Sequence, residues 1–297
     1  MPPPATHAAT GRPPASDLKL ADLRQGWRTN FLVHGPGAVI AERADCIVVR
    51  TPDNPAYYWG NCLVLPAGPG DDELEHWLQR FEQEVVRHNA ACAHVALGVN
   101  APYRQEQLPR WREAGFEIHV SEVMRLAPGQ LREPAEAARG DVVIRPIDFS
   151  REVPAIIELE CTDTDIFEPV GYRTHRQLRF LRHAQMHDEG RLHWFGAWCD
   201  GVLAAACGLM RERARPGSVA RFQHVYTHPD WRRRGLCTAL VATVSTYALQ
   251  QWQAAELIML ADPDDVAIGI YRALGYAAID SEWLLQLNAP QDRGVAA

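Results

Sequence analysis

The stretch that decides the fold is VYTHPDWRRRGLCTAL, residues 225–240. Its apolar start predicts a strand that ends at Thr227, because Pro229 lacks the backbone donor that a central strand needs. A basic turn at residues 232–235 then opens a helix. Amides at the start of a helix have no internal partner, and the helix dipole adds positive charge there. This strand–turn–helix therefore predicts a binding site for a phosphate or pyrophosphate.

Side chains in the turn fit the same interpretation. Gly235 lets the backbone approach an anion closely, and Thr238 offers a hydroxyl donor. Arg232, Arg233 and Arg234 supply positive charge. Taken alone, an R-x-x-G turn is more often a solvated basic turn before a helix, so a second motif is needed.

The turn resembles the signature of the GNAT superfamily of acyl-CoA-dependent acyltransferases, Gln/Arg-x-x-Gly-x-Gly/Ala between the fourth strand and the third helix. Cys237 stands in place of the last small residue. A second family pattern, Asn-x-x-Ala-x-x-x-Tyr-x-x-x-Gly-Phe, is matched in the family's order, with Asp for Asn and Tyr for Phe. Its positions are Asp264, Ala267, Tyr271, Gly275 and Tyr276. The resemblance covers about residues 142–287.

This resemblance implies acetyl-CoA as the co-substrate and no metal. Pantetheine would pair with the splayed fourth strand, whose amide near Val225 would polarise the thioester carbonyl. The pyrophosphate would lie on the amides of the turn. The implied donor-binding residues are Val225, Tyr226, Thr227, Arg232, Arg233, Arg234, Gly235, Leu236, Cys237, Thr238 and Asp264.

The resemblance also implies direct attack of an amine on the thioester in a ternary complex. Tyr271 is then the expected acid for the leaving thiolate, and the alternative is a tyrosine that caps the core side of a helix. Candidates for the general base are His224, Asp262 and Glu282. Strand alternation places His224 on the face opposite Gln223 and Val225. Glu282 has a counterpart in the first half, Glu122, which favours a structural role.

An internal repeat predicts a duplicated domain. Residues 111–116, WREAGF, match residues 271–276, YRALGY, and the dipeptide Ser121-Glu122 matches Ser281-Glu282 at the same offset of 160 residues. The alternative is two similar helix ends. We expect an α/β (α+β) fold of two GNAT-like domains, each a mostly antiparallel mixed sheet flanked by helices. The expected division is a disordered tail at 1–16, a degenerate domain at 17–128, a linker at 129–141 and the active domain at 142–297.

The first half lacks the chemistry of the second. Trp111 stands where the second half has Tyr271, and an indole is no useful proton donor. In place of the arginine turn, residues 66–72 carry Asp71 and Asp72, which repel a pyrophosphate. The aromatic-rich loop at 51–61 is expected either to line the acceptor pocket or to be a proline-stiffened loop.

Composition limits the remaining choices. With 297 residues and a net charge of −7, the chain is not expected to bind nucleic acid, and no apolar run predicts a membrane partner. Seven cysteines without a C-x-x-C pair favour buried thiols in the cytoplasm. The expected acceptor is a primary amine of a small molecule, and the acidic Asp163, Asp165 and Glu168 would suit a cationic one. A non-catalytic acyl-CoA-binding regulatory or interaction protein, a nucleotide-binding protein and a homodimer stay open.

Overall fold

A single sheet of eleven strands forms the centre of the protein in the computed structural model, which describes residues 18–135, 138–162 and 169–289. The expected tail at 1–16 lies outside the described residues. The strands are β1 Val39–Glu42, β2 Ile47–Arg50, β3 Cys62–Leu65, β4 Val95–Val99, β5 Glu117–Leu126, β6 Val142–Pro146, β7 Leu192–Cys199, β8 Val202–Arg211, β9 Val219–Thr227, β10 Glu256–Ala261 and β11 Ala277–Leu287. Their order across the sheet is β1-β2-β3-β4-β11-β5-β10-β9-β8-β7-β6.

Seven α-helices among the described residues flank this sheet. They are α1 Gln25–Val33, α2 Leu74–Glu84, α3 Pro109–Glu113, α4 Val153–Glu160, α5 Pro169–Asp188, α6 Leu236–Gln250 and α7 Ala267–Ala273. Helix α2 shows why the sequence folds this way: Leu74, Trp77 and Phe81 recur at helical spacing and are all buried. The predicted α/β class with a mixed, mostly antiparallel sheet is confirmed, since only β3–β4 and β9–β10 pair in parallel.

The two halves exchange their last strands. Strand β5 of the first half pairs with β10, and β11 of the second half pairs with β4. Met124 of β5 is buried in the core beneath α6, whereas Trp283 of β11 is buried in the core beneath α2. Each half therefore completes the hydrophobic core of the other. A single sheet runs without a break from the strands of the first half to those of the second.

The repeat found in the sequence lies at the centre of this exchange. Strands β5 and β11 pair antiparallel, with Ser281 opposite Glu122 and Glu282 opposite Ser121. The two Ser-Glu dipeptides are therefore related by an approximate two-fold axis that passes between them. The parallel pairs β3–β4 and β9–β10 stand at matching places on the two sides of that axis.

Helices from both halves cover one face of the second half's sheet. Helices α4 and α5 pack there together with α1, whereas α6 and α7 cover the opposite face. The loop at 51–61 reaches across to α5, where the Asn54 amide donates a 3.1 Å hydrogen bond to the His175 carbonyl oxygen. The Tyr57 ring lies 5.3 Å from the His175 ring. The first half therefore builds part of the wall beside β9.

Candidate active site

Strands β9 and β10 separate in the middle of the sheet. Their parallel pairing runs from Glu256 opposite Val219 to Ile258 opposite Arg221. Beyond this point β9 continues along β8 while β10 continues along β5. A cavity of about 210 Å³ lies in the resulting opening, lined from β9 by Phe222, His224 and Val225. The separation leaves strand backbone facing a space in which an extended ligand can lie.

A β-bulge in β9 changes the direction of His224. Opposite β8, Gln223 faces Gly208 and Tyr226 faces Ala206, so β9 takes one extra residue between the two pairs. His224 occupies this bulge with a φ of +51°. An added residue disrupts strand alternation. The expectation that His224 and Gln223 lie on opposite faces is therefore wrong.

Two contacts place both side chains on the face covered by α4 and α5. A Cβ built on Gly208 would lie near both the Trp194 ring and Gln223 Cβ, which puts Gln223 on the Trp194 face. The Nε2 atom of His224 lies 3.4 Å from Oε1 of Glu160, on α4. Burial, with Arg176 and Arg179 nearby, holds the pKa of His224 well below its usual range. The imidazole is therefore neutral at physiological pH.

Tyr271 reaches the same cavity from α7. Its ring is buried, and within the described part of the chain no residue hydrogen-bonds its hydroxyl. Burial, with Cys237 and Asp265 nearby, raises the pKa of the phenol far above its usual value. Tyr271 therefore carries its proton at physiological pH. Asp262, at the end of β10, also lines the cavity.

The arginine turn lies at the neighbouring end of α6. Arg233 and Gly235 both adopt left-handed backbone, with φ values of +61° and +79°. In the described residues, the amides of 233–238 donate no hydrogen bond to any acceptor. A second cavity, of about 500 Å³, is lined by Arg233, Arg234, Gly235 and Thr238 together with α7. Unpaired amides, a left-handed glycine and arginines beside one cavity fit the pyrophosphate of acetyl-CoA.

The other predicted donor-binding residues help to shape this turn. Arg232 lies over the Tyr226 ring, and its Nε donates to the Thr227 carbonyl oxygen at 3.2 Å. Leu236 is buried in the core. Burial raises the pKa of the Cys237 thiol to about 12, so this cysteine is not a thiolate.

Asp264 lines neither cavity. Its amide donates to Asp262 Oδ1 in the turn between β10 and α7. The neighbouring Asp265 faces the 210 Å³ cavity, and its Oδ1 accepts a hydrogen bond from the Ala267 amide at the start of α7. In the structure Asp265, and not the predicted Asp264, lies next to the opening.

Glu282 lies away from this opening. It is buried beneath α1, where its carboxylate accepts a hydrogen bond from the Asn30 side chain. A Cβ at Gly26 would lie 2.5 Å from Oε2 of Glu282, so the helix approaches the strand closely at this point. Glu282 therefore joins the two halves and is not among the residues that line the cavity of Tyr271.

Burial raises the pKa of Glu282 to about 8. Below its unfolded pKa near 4.5 the residue is protonated in both states, and as the pH rises towards 8 the folded state retains a proton that the unfolded state releases. We expect the free energy of unfolding to fall by up to about 1.4 kcal/mol per pH unit across this window. Glu282→Gln should remove that slope, which denaturant unfolding at pH 5 and pH 8 measures. An unchanged slope in the variant would contradict the assignment.

Sequence reasoning missed a polar stripe on α5. Arg176, Arg179 and His183 recur at spacings of three and four residues, and all three are buried. A helix face directed at a sheet is normally apolar. Polar residues at helical spacing, such as those in RTHRQLRFLRH at 173–183, are the signal that reveals the stripe.

Internal contacts occupy the corresponding turn of the first half. Trp111 is fully buried and its indole donates to the Gly70 carbonyl oxygen at 3.1 Å. Asp71 accepts a 2.9 Å hydrogen bond from the Arg110 amide, so a carboxylate already takes the start of α3. The contacts of loop 51–61 with α5 support a role for the first half as a wall of the site in the second half.

Residues 18–135, 138–162 and 169–289 contain no group of three metal-ligating side chains. In the same ranges, no helix has the length and apolar character needed to cross a membrane.

Comparison with known proteins agrees with this geometry. The sequence profile of the acetyltransferase (GNAT) family matches residues 154–276. No curated protein matches the chain.

Solved structures share the fold of the whole chain. A functionally unknown conserved protein from Staphylococcus epidermidis has a TM-score of 0.67 at 15% identity, covering 91% of this chain and 98% of that one. A GCN5-related N-acetyltransferase from Kribbella flavida gives 0.55 at 17% identity, covering 87% and 92%. A tandem GNAT protein from the clavulanic acid biosynthesis pathway gives 0.55 at 14% identity, covering 91% and 93%. The chain therefore has the fold of these tandem structures, and its residues 154–276, which include the opening, the arginine turn and Tyr271, form a domain of the acetyltransferase (GNAT) family.

Proposed function

We propose that the protein transfers an acetyl group from acetyl-CoA to a primary amine of a small molecule. One observation carries this proposal: the opening between β9 and β10 has Tyr271 in its wall and the turn of unpaired amides beside it. An anion site continuous with exposed strand backbone fits a long thioester whose phosphates and acyl group must be held apart. A site that binds only a phosphate does not require the opening between β9 and β10.

Two parts of the chain would bind the donor, the turn before α6 and the backbone of β9. The turn at 233–238, with Thr238 and the left-handed Gly235, would hold the pyrophosphate. The backbone of β9 from Val225 to Thr227 would lie along the pantetheine. Acetyl-CoA supplies an activated acyl group, and a strand amide near Val225 would stabilise negative charge on the carbonyl oxygen.

Two side chains in the cavity wall suit the two proton transfers. Tyr271 retains its proton and would give it to the departing sulfur. His224 is neutral, and the Glu160 oxygen 3.4 Å from Nε2 favours a proton on that nitrogen, which leaves Nδ1 free to accept one from the amine. Asp262 is the second base within reach of the same cavity.

The test is amine-dependent release of free CoA. The purified chain is mixed with acetyl-CoA and a panel of primary amines, and the free thiol and the acetylated product are measured. We expect turnover with at least one amine and stabilisation by CoA, which reaches about 2.7 kcal/mol at 100 times the Kd. Tight CoA binding without any turnover would instead favour a non-catalytic acyl-CoA-binding protein. Absence of any stabilisation by CoA would contradict both the acetyltransferase and the non-catalytic acyl-CoA-binding protein.

A further inference from the structure

Three arginines are buried together beside the opening, between α1, α5 and β9. They are Arg176, Arg179 and Arg221, each at most 7% exposed, and we call them the arginine cluster. Arginine keeps its charge in proteins, and an uncompensated buried charge is costly. The partners of each guanidinium therefore decide what this region can bind.

Two members of the cluster already have internal partners. Arg176 donates through Nε and Nη2 to the carboxylate of Glu160, which is itself fully buried. Arg221 donates to the Thr29 hydroxyl at 3.1 Å, and Glu282 is the nearest acidic influence on it. The Glu160 carboxylate is thus bound by Arg176. Arg221 relies on the Thr29 hydroxyl, because Glu282 has a pKa of about 8 and is mostly protonated at neutral pH, and Nε of Arg221 has no partner among the described residues.

Arg179 has no such partner. Its guanidinium lies over the Tyr57 ring, 4.8 Å from the centroid, in a side chain that is 7% exposed. Among the residues that the structure describes, neither Nε nor Nη2 of Arg179 has a hydrogen-bond partner. These two atoms form one edge of the guanidinium, and two parallel N–H groups match the two oxygens of a carboxylate.

The surrounding histidines do not offset this charge. His34, His175, His183 and His224 have pKa values held well below the usual range by burial and by the same arginines. They are neutral at physiological pH. Among the described residues, neither a histidine nor a hydrogen-bonded carboxylate therefore offsets the charge of Arg179.

The cluster is continuous with the reaction site. His224 lines the cavity of Tyr271, and its Nε2 lies 3.4 Å from Glu160, the partner of Arg176. Arg179 follows Arg176 by three residues on the same face of α5. A small molecule that enters beside His224 would thus meet Arg179 less than one helical turn further along α5.

We propose that Arg179 binds a carboxylate of the acceptor, so that the acceptor is an amine that also carries a carboxylate, as amino acids do. This inference rests on the proposed function. The expectation that the acceptor is cationic depended on Asp163, Asp165 and Glu168, which lie outside the described residues, and it stays a prediction. A site built to bind a charged group rejects analogues that lack it, because its own group is then left unpaired.

Matched ligand pairs test this. L-Phenylalanine with phenethylamine, L-tyrosine with tyramine, and L-lysine with cadaverine differ by one carboxylate, and the full set of L-amino acids extends the panel. Binding to the whole chain is measured by calorimetry and thermal shift without and with CoA, so the readout does not need turnover. We expect at least one carboxylate member to bind at least tenfold more tightly than its decarboxylated partner.

Substitution of Arg179 separates binding from folding. Arg179→Met should abolish the preference for the carboxylate while leaving CoA affinity unchanged, and Arg179→Lys should retain part of it. Removing an unpaired buried charge should leave the melting temperature of the free protein equal or higher. Arg211→Met is the control, because Arg211 also lies over an aromatic ring, that of Trp252, but already donates to the Gly190 carbonyl oxygen.

The outcomes are distinguishable. Preference for decarboxylated amines, tighter binding of phosphoethanolamine than of any carboxylate, no binding by any panel member, or a large loss of stability in Arg179→Met would each overturn the assignment. Carboxylate binding that depends on Arg179, without acetyl transfer, would support the assignment and defeat the proposed function alone. Turnover of simple amines at a rate that does not change in Arg179→Met would support the proposed function and overturn the assignment of Arg179.

Discussion

Replacing Tyr271 by phenylalanine is expected to lower kcat by about 100-fold to 10,000-fold, the range that general acid catalysis contributes. The substitution removes one hydroxyl and keeps the ring, which packs in the core beneath α6. Since no described residue hydrogen-bonds that hydroxyl, its loss leaves no internal donor or acceptor unpaired. The folded structure and the affinity for CoA should therefore be unchanged.

Tyr247→Phe provides the matched control. Tyr247 lies on α6, and its hydroxyl is 2.9 Å from Nδ1 of His193, away from the cavity. This variant should keep full kcat, although it loses an internal hydrogen bond and with it about 1 kcal/mol of stability. The measurements are steady-state thiol release, CoA titration and thermal denaturation for both variants. Equal rates for Tyr271→Phe and the unchanged protein would show that another group protonates the leaving thiolate.

Local signals in the sequence predicted most elements of the second half. The apolar sequence after Gly235 predicts a helix over 236–251, and the structure has one at Leu236–Gln250, because Gly235 and the apolar face of the helix define its start and its orientation. The strand expected at 256–261 is observed as Glu256–Ala261. These features depend on residues close together in the chain, which is why they could be predicted.

The exchange of strands could not be predicted in this way. Strand β11 alternates between buried faces whether it pairs with its own half or with the other, so residues 277–287 carry no local mark of the partner. The repeat indicates duplication but does not specify which strand completes which core. Helix α1 was also missed, since its buried side includes Gly26, Thr29 and Asn30, whose partner Glu282 lies more than 250 residues away.

The candidate site shows the same division. The arginine turn and Tyr271 were identified from local motifs that resemble those of the GNAT family, whereas the direction of His224 depends on a bulge that strand alternation does not reveal. Arg179 depends on the packing of α5 against Tyr57 from the other half. The residues proposed to bind the donor are close in sequence, whereas those proposed to shape the acceptor site come from both halves.

The second large effect is expected from Gly235→Ala, which should weaken the binding of acetyl-CoA by about 100-fold. Gly235 has a φ of +79°, where an alanine costs about 1–2 kcal/mol. If the turn relaxes to avoid this strain, amides of 233–238 no longer converge on one anion, and each hydrogen bond to a charged group is worth about 1.5–3 kcal/mol. Loss of two such hydrogen bonds exceeds the roughly 2.7 kcal/mol that corresponds to 100-fold in affinity.

Gly201→Ala separates the strain from the loss of the anion site. Gly201 has a φ of +78° in the turn between β7 and β8, and a Cβ there meets no atom within 4 Å. Both variants should therefore lose a similar amount of stability, which denaturant unfolding measures. Only Gly235→Ala should weaken the binding of acetyl-CoA in calorimetry, because only the turn that contains Gly235 lines the cavity beside α7. Equal CoA affinity in the two variants would mean that the pyrophosphate binds elsewhere.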